Sequence, residues 1–205
     1  MKTGRRGGEY LEVLEGVKAG ESVVTNGTLL IDGQAEMNRS FSSAPLEKDV
    51  EAPVLDDSQI AAISEFLETA DAMSKALAAD NLDAFNKASE PAMAVTGKMI
   101  ESLKATSVSQ QPLDDLDESR HFHGFENLKE ARAAFLKFSM AANAVLEPLR
   151  AHPALSGLRI FECPMVDEAI PGAEKKGRWI QTGDRPMQNP YFGAGMLTCG
   201  KEIKP

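Results

Sequence analysis

The sequence predicts a mainly α fold: an up-down bundle of three or four helices, preceded by a small β segment and closed by a short β-hairpin-like tail. Three observations carry this. Apolar residues recur at three- and four-residue steps in three stretches between residues 58 and 149. Two short alternating runs follow beyond residue 157, and a few β-prone runs lie within residues 10–31. The chain accordingly divides into a β segment (1–37), a polar, Pro-bearing linker (38–57) and a helical domain with its tail (58–205).

In the β segment, Tyr10-Leu11-Glu12-Val13-Leu14 and Ser22-Val23-Val24-Thr25 are β-prone, with a turn around Gly20. Asn26-Gly27 marks another turn before Thr28-Leu29-Leu30-Ile31. So few strands are marginal on their own in water. The first helix starts near Ser58, with Asp56, Asp57 or Ser58 as its cap, and stripes Ile60, Ile63, Leu67, Ala70, Ser74 and Leu77. Asp80-Asn81 ends it and caps a second helix, striped by Leu82, Phe85, Ala88, Ala92, Val95, Met99 and Leu103 and kinked at Pro91. The clearest stripe is the third: Leu128, Ala131, Phe135, Phe138, Ala142, Val145 and Leu149. A short fourth helix is expected over residues 113–125. Each buried Leu or Phe contributes about 2 kcal/mol, so these stripes can hold a compact domain. Leu158-Arg159-Ile160-Phe161-Glu162-Cys163 and Arg178-Trp179-Ile180-Gln181 alternate as two strands joined by a Pro/Gly loop.

Composition excludes several classes. A net charge of −9, from 31 acidic against 22 basic residues, is the wrong sign for a nucleic-acid surface. No run of 18 apolar residues occurs, so no membrane span is expected. The basic start, Met1-Lys2-Thr3-Gly4-Arg5-Arg6, has no apolar stretch behind it and does not read as a secretory signal. No Gly-rich phosphate loop and no His-Glu-x-x-His is present, and nothing in the spacing sets a cysteine beside a histidine as nucleophile and base. The chain is read as a non-enzyme.

The chemistry is concentrated in the tail. The chain has two cysteines, and each has a methionine within three residues: Cys163-Pro164-Met165 and Met196-Leu197-Thr198-Cys199. Thiolate and thioether sulfur select soft monovalent ions, so Cys163, Met165, Met196 and Cys199 form a candidate Cu(I) or Ag(I) site. The competing reading is a Cys163–Cys199 disulfide that clamps the tail, closing a loop of about 35 residues. Two inert thiols would also fit, and both alternatives stay open at this point.

Other residues read more plainly. Met187 is a further candidate thioether, but beside Pro186 in a loop it is assigned to packing or solvent in preference, while Met73, Met93, Met99 and Met140 are assigned to core filling. Trp179 is a core anchor that could also cover a bound cation. His121 and His123 share a face only if their segment is extended. His152 is expected to favour the C-terminus of the third helix. Asp114-Asp115-Leu116-Asp117-Glu118 reads as a solvated helix start, and Arg132 as an ion pair beside its apolar stripe. Asn189-Pro190-Tyr191-Phe192-Gly193 reads as a turn whose aromatics pack on the bundle.

Two stretches resemble one family, the periplasmic adaptor (membrane fusion) subunits of copper/silver-type RND efflux systems. The first includes Leu14-Glu15-Gly16-Val17-Lys18-Ala19-Gly20-Glu21-Ser22-Val23-Val24-Thr25-Asn26-Gly27 and Leu30-Ile31-Asp32-Gly33-Gln34-Ala35-Glu36-Met37. It is similar to the last strands of the adaptors' membrane-proximal β-domain, with Gly33-Gln34 where the family has Ser-Glu. The second covers residues 58–203 and resembles an uncharacterised helical domain appended to such adaptors and also found alone in bacterial envelope proteins. Its marks are Leu128, Ala131-Arg132, Phe135 and Phe138-Ser139 on a helix, then Cys163-Pro164-Met165, Trp179, Asn189-Pro190-Tyr191-Phe192-Gly193, Met196 and Cys199-Gly200. The resemblance implies a periplasmic location and a role in heavy-metal efflux. It implies partners in an inner-membrane RND pump and an outer-membrane channel, and a chain that is the C-terminal part of an adaptor.

Overall fold

The computed structural model describes the backbone of residues 2–7 and 10–15 and the whole of residues 54–204. The chain divides into two units, residues 1–49 and residues 50–205. In the first, strand β1 (Lys2–Gly7) pairs antiparallel with β2 (Tyr10–Glu15), with irregular register between Lys2 and Arg6. The strand at Tyr10 is as expected. Its partner, rich in Gly and Arg, carried no strand signal. The expected strands at Ser22–Thr25 and Thr28–Ile31 lie outside the described residues, as does most of the linker.

The second unit is mainly helical. Helix α1 (Asp57–Ala78) begins at a capping box: Gln59 N–H donates to Asp56 Oδ1 at 2.9 Å and Asp56 N–H to Gln59 Oε1 at 2.8 Å. Its stripe is buried as expected from Ile63 to Leu77, and Phe66 and Met73 join it. The kinked second helix is in fact two, α2 (Leu82–Ser89) and α3 (Ala92–Leu103), divided at Glu90-Pro91. Proline lacks the N–H that would continue the α2 ladder, and its ring crowds the preceding turn. Asn81 caps α2 by accepting from Ala84 N–H at 2.9 Å. Helix α4 spans Gln110–Ser119, earlier and shorter than expected; it buries Leu113 and Leu116 and leaves Asp114 and Asp115 to solvent. Helix α5 (Leu128–Leu146) starts at an Asn127 cap. Its stripe from Ala131 to Val145 is buried, and Leu149 continues it in a 3-10 turn.

The tail is a three-stranded antiparallel sheet, not only a hairpin. β3 (Leu158–Cys163) is central, with β4 (Gly177–Thr182) on one side and β5 (Lys201–Ile203) on the other. A short helix α6 (Val166–Ala169) lies between β3 and β4. β4 packs on α1 and α5. Aromatic rings continue from the bundle into the sheet: Phe66 meets Phe138 at 5.7 Å, Phe135 meets Tyr191 at 6.3 Å, Tyr191 meets Trp179 at 5.9 Å, and Trp179 stacks on Phe161 at 5.4 Å. Within the bundle Phe135 and Phe138 close the series at 6.3 Å. No helix among the described residues is long and apolar enough to cross a membrane.

Polar ties fasten the tail to the helices. Arg132 on α5 donates to the Pro190 carbonyl at 3.0 Å, to the Leu77 carbonyl at 3.1 Å and to Asp80 Oδ1. Asp80 Oδ2 accepts from Ala194 N–H at 2.9 Å. Partial desolvation pushes the Asp80 carboxyl up, but the Ala194 N–H and the Arg132 guanidinium outweigh it and hold the acid below its ordinary range. Gly193 stands over this pair at φ +60°, where a Cβ would fall inside the carboxylate and the guanidinium. A second tie joins Asp71 of α1 to Arg185 at 2.6 Å and to the Thr182 N–H at 3.1 Å.

Candidate metal centre

Cys163 ends β3, and strand alternation sets its side chain on the same face as Arg159 and Phe161. That face is closely filled: the Arg159 guanidinium lies 4.8 Å above the Phe161 ring, which stacks on Trp179 opposite it. Cys163 pairs with Gly177, where a Cβ would stand 3.0 Å from each of Leu136, Val166 and Tyr191. The missing side chain lets the Cys163 end of the sheet close on the bundle. Cys163 is fully buried.

The loop from residue 183 to 200 brings the second sulfur back. Asn189, fully buried, organises it through all its polar atoms. Its carboxamide oxygen accepts from the N–H groups of Tyr191 (2.8 Å) and Phe192 (3.3 Å), its NH₂ donates to the Cys199 carbonyl at 2.7 Å, and its own N–H donates to the Leu197 carbonyl at 2.7 Å. The Tyr191 hydroxyl donates to the Arg178 carbonyl at 2.6 Å, and burial pushes its ionisation far above the ordinary range. The Asn189-Pro190-Tyr191-Phe192-Gly193 tract therefore does more than pack: it fixes the backbone at Cys199.

The result is that Cys163 and Cys199, both free thiols, come to the same end of the sheet, since β5 begins two residues after Cys199 and pairs with β3, which Cys163 closes. Cys199 is half-buried. Burial pushes its thiol up, and the neighbouring Cys163 and Glu168 push in the same direction. The two flanking methionines are placed differently. Met165 sits at the start of α6, half-buried and packed against the core. Met196 is 40% exposed, and its backbone carbonyl accepts from the Cys199 N–H at 3.0 Å. Among the described residues no three His, Cys, Asp or Glu side chains converge on one point. An ion at the cysteine pair would therefore complete its shell from thioether, carbonyl or water.

The remaining candidates fall away from this site. His121 and His123 are exposed on a segment outside helix and strand, with Phe122 between them turned inward against Phe85 and Phe138. His152 caps a 3-10 turn (Pro153–Leu155) through Nδ1, which accepts from Ala154 N–H at 3.2 Å; it does not serve the end of α5. Met73 and Met99 are buried core residues, whereas Met93 is 53% exposed and fills no core. Trp179 is fully buried, and its indole N–H donates to Gln181 Oε1 at 3.2 Å.

Chemically, two thiols brought together can take up a soft cation or form a bond to each other; Cys163 is buried, and Cys199 is partly open to solvent. No family model, curated protein or solved structure matches the chain.

Proposed function

We propose that this chain is a periplasmic adaptor-type component of heavy-metal efflux whose C-terminal unit binds Cu(I) or Ag(I) and hands it on. The observation that carries the reading is the return of the tail: β5 pairs with β3 and so brings Cys199 to the end of the strand that Cys163 closes. The chain's two cysteines are thereby brought to one end of the sheet, each with a methionine close in sequence. Thiolates of Cys163 and Cys199 would hold the ion, with thioether support from Met165 and the exposed Met196. Such soft, low-coordinate donor sets favour Cu(I) and Ag(I) over harder ions. The assignment to an efflux adaptor, between an inner-membrane pump and an outer-membrane channel, rests on the sequence resemblance. No step of catalysis is proposed.

The same adjacency supports a second reading, a metal-free helical interaction module whose tail is clamped by a Cys163–Cys199 disulfide. Exchange with another disulfide would form it, the two thiols giving up two protons and two electrons to that partner. A clamp of this span would stabilise the fold by roughly 3–4 kcal/mol.

The test begins with a thiol count on the unfolded protein as isolated. After anaerobic reduction, the folded protein is set in competition with a colorimetric Cu(I) chelator. Uptake of one Cu(I) per chain, reversed by excess chelator, is the expected result. No thiols at isolation and no copper uptake after reduction would leave the clamp in its place.

A further inference from the structure

We propose that the thioether of Met187 is a further sulfur donor of this site, reaching the cysteine pair from within the protein. The inference rests on the soft-metal reading above and names a ligand that the sequence assigned to packing or solvent. Proximity in sequence favours Met165 and Met196; the fold brings in Met187 from elsewhere.

The register of the sheet places it. β5 pairs with β3 so that Glu202 faces Phe161 and Lys201 faces Glu162. Gly200 precedes β5 by one residue and so stands at the Cys163 end of β3. Gly200, at φ +139°, lies so close to its neighbours that a Cβ would stand 2.9 Å from the Glu162 carbonyl oxygen and 2.9 Å from the Trp179 ring. The same Cβ would be 3.4 Å from Met187 Sδ. The Met187 sulfur therefore lies against the residue that follows Cys199, at the Cys163 end of β3.

Its position is held on both sides. The buried Gln181 carboxamide donates to the Pro186 carbonyl at 3.2 Å and accepts from the Gln188 N–H at 2.7 Å, bracketing Met187 between them. The Trp179 indole N–H shares that oxygen of Gln181 at 3.2 Å. Met187 itself is half-buried and packs against the core. A buried glutamine that orders the residues before and after a single thioether is a pre-organised support, which is what a ligand in a loop requires. Thioether sulfur is a neutral, soft donor, so it adds to two thiolates without further charge repulsion.

The experiment compares Met187→Leu with Met196→Leu in the full chain, by anaerobic Cu(I) competition against a colorimetric chelator. Leucine conserves volume at a packed site. Met187→Leu is expected to weaken Cu(I) binding at least about tenfold, equivalent to about 1.4 kcal/mol, and to leave the melting of the metal-free protein unchanged. A second readout needs no variant: the protein carries ¹³C at its methionine methyls and receives one equivalent of Ag(I). The Met187 methyl, identified by its absence from the spectrum of Met187→Leu, is expected to shift while that of exposed Met93 stays. An unmoved Met187 methyl in protein that binds Ag(I) through both cysteines overturns this inference alone. Failure of the unaltered protein to bind Cu(I) or Ag(I) overturns the reading beneath it.

Discussion

Replacing Cys199 by serine should weaken Cu(I) binding at least about a hundredfold, or about 2.8 kcal/mol, while barely touching the fold. The hydroxyl is a hard donor in a position that asks for a soft one. Cys199 is half-buried, so the new hydroxyl can keep contact with water. Cys163→Ser should lose the ion as completely but destabilise the protein too. Its site is fully buried, and an unpaired hydroxyl there costs about 1–3 kcal/mol. Cys163→Ala separates the two effects, since it removes the sulfur without burying a polar group. The pH dependence has a definite sign. A thiol must give up its proton to bind metal, and the Cys199 thiol holds its proton more tightly than usual. Apparent affinity should therefore rise with pH and keep rising beyond the ordinary thiol value of about 8.5. Affinity that is flat from about pH 6 to about pH 9 would exclude Cys199 as a ligand.

Trp179→Ala should destabilise the second unit by about 3–5 kcal/mol, the range for emptying a large aromatic site in a core. Trp179 is fully buried, stacked on Phe161 and edge-on to Tyr191, and it donates to Gln181. Truncation opens a void between the sheet and the terminal loop and leaves the Gln181 oxygen with one partner fewer. That loss is a large part of the about 5–15 kcal/mol by which domains are stable. Trp179→Phe should fall between the two, keeping the stack and losing the indole N–H. Denaturant midpoints measure both, and a loss below about 1 kcal/mol for the alanine variant would mean the site collapses around it.

What was readable in the sequence follows the range of the interaction that determines it. The α5 stripe is local and periodic, and it is buried much as its spacing predicts. The caps at Asp56 and Asn81 are local too. By contrast, β5 has two charged residues in three and no strand pattern; its structure is set by the free edge of β3. Leu116 is buried amid acidic residues because α4 packs on α5, a contact that a run of charges conceals. At the site, the two cysteines were legible because they are few. Met187 was legible only as a secondary candidate, because the loop that returns it is shaped by Gln181 and Asn189, whose hydrogen bonds join residues remote from one another in the pattern. The signal available was a glutamine at a strand position where burial would be expected, a buried amide in search of partners.

The line of rings from Phe66 through Phe138, Phe135 and Tyr191 to Trp179 and Phe161 has a thermodynamic consequence. Neither the helices nor the sheet can loosen without prising apart a ring that the other half holds, so the second unit should melt as one cooperative body. Far-ultraviolet ellipticity, which follows the helices, and indole emission, which follows the sheet, should vanish over the same span of denaturant. Two separated transitions would show that the sulfur-bearing end can open while the helices stand.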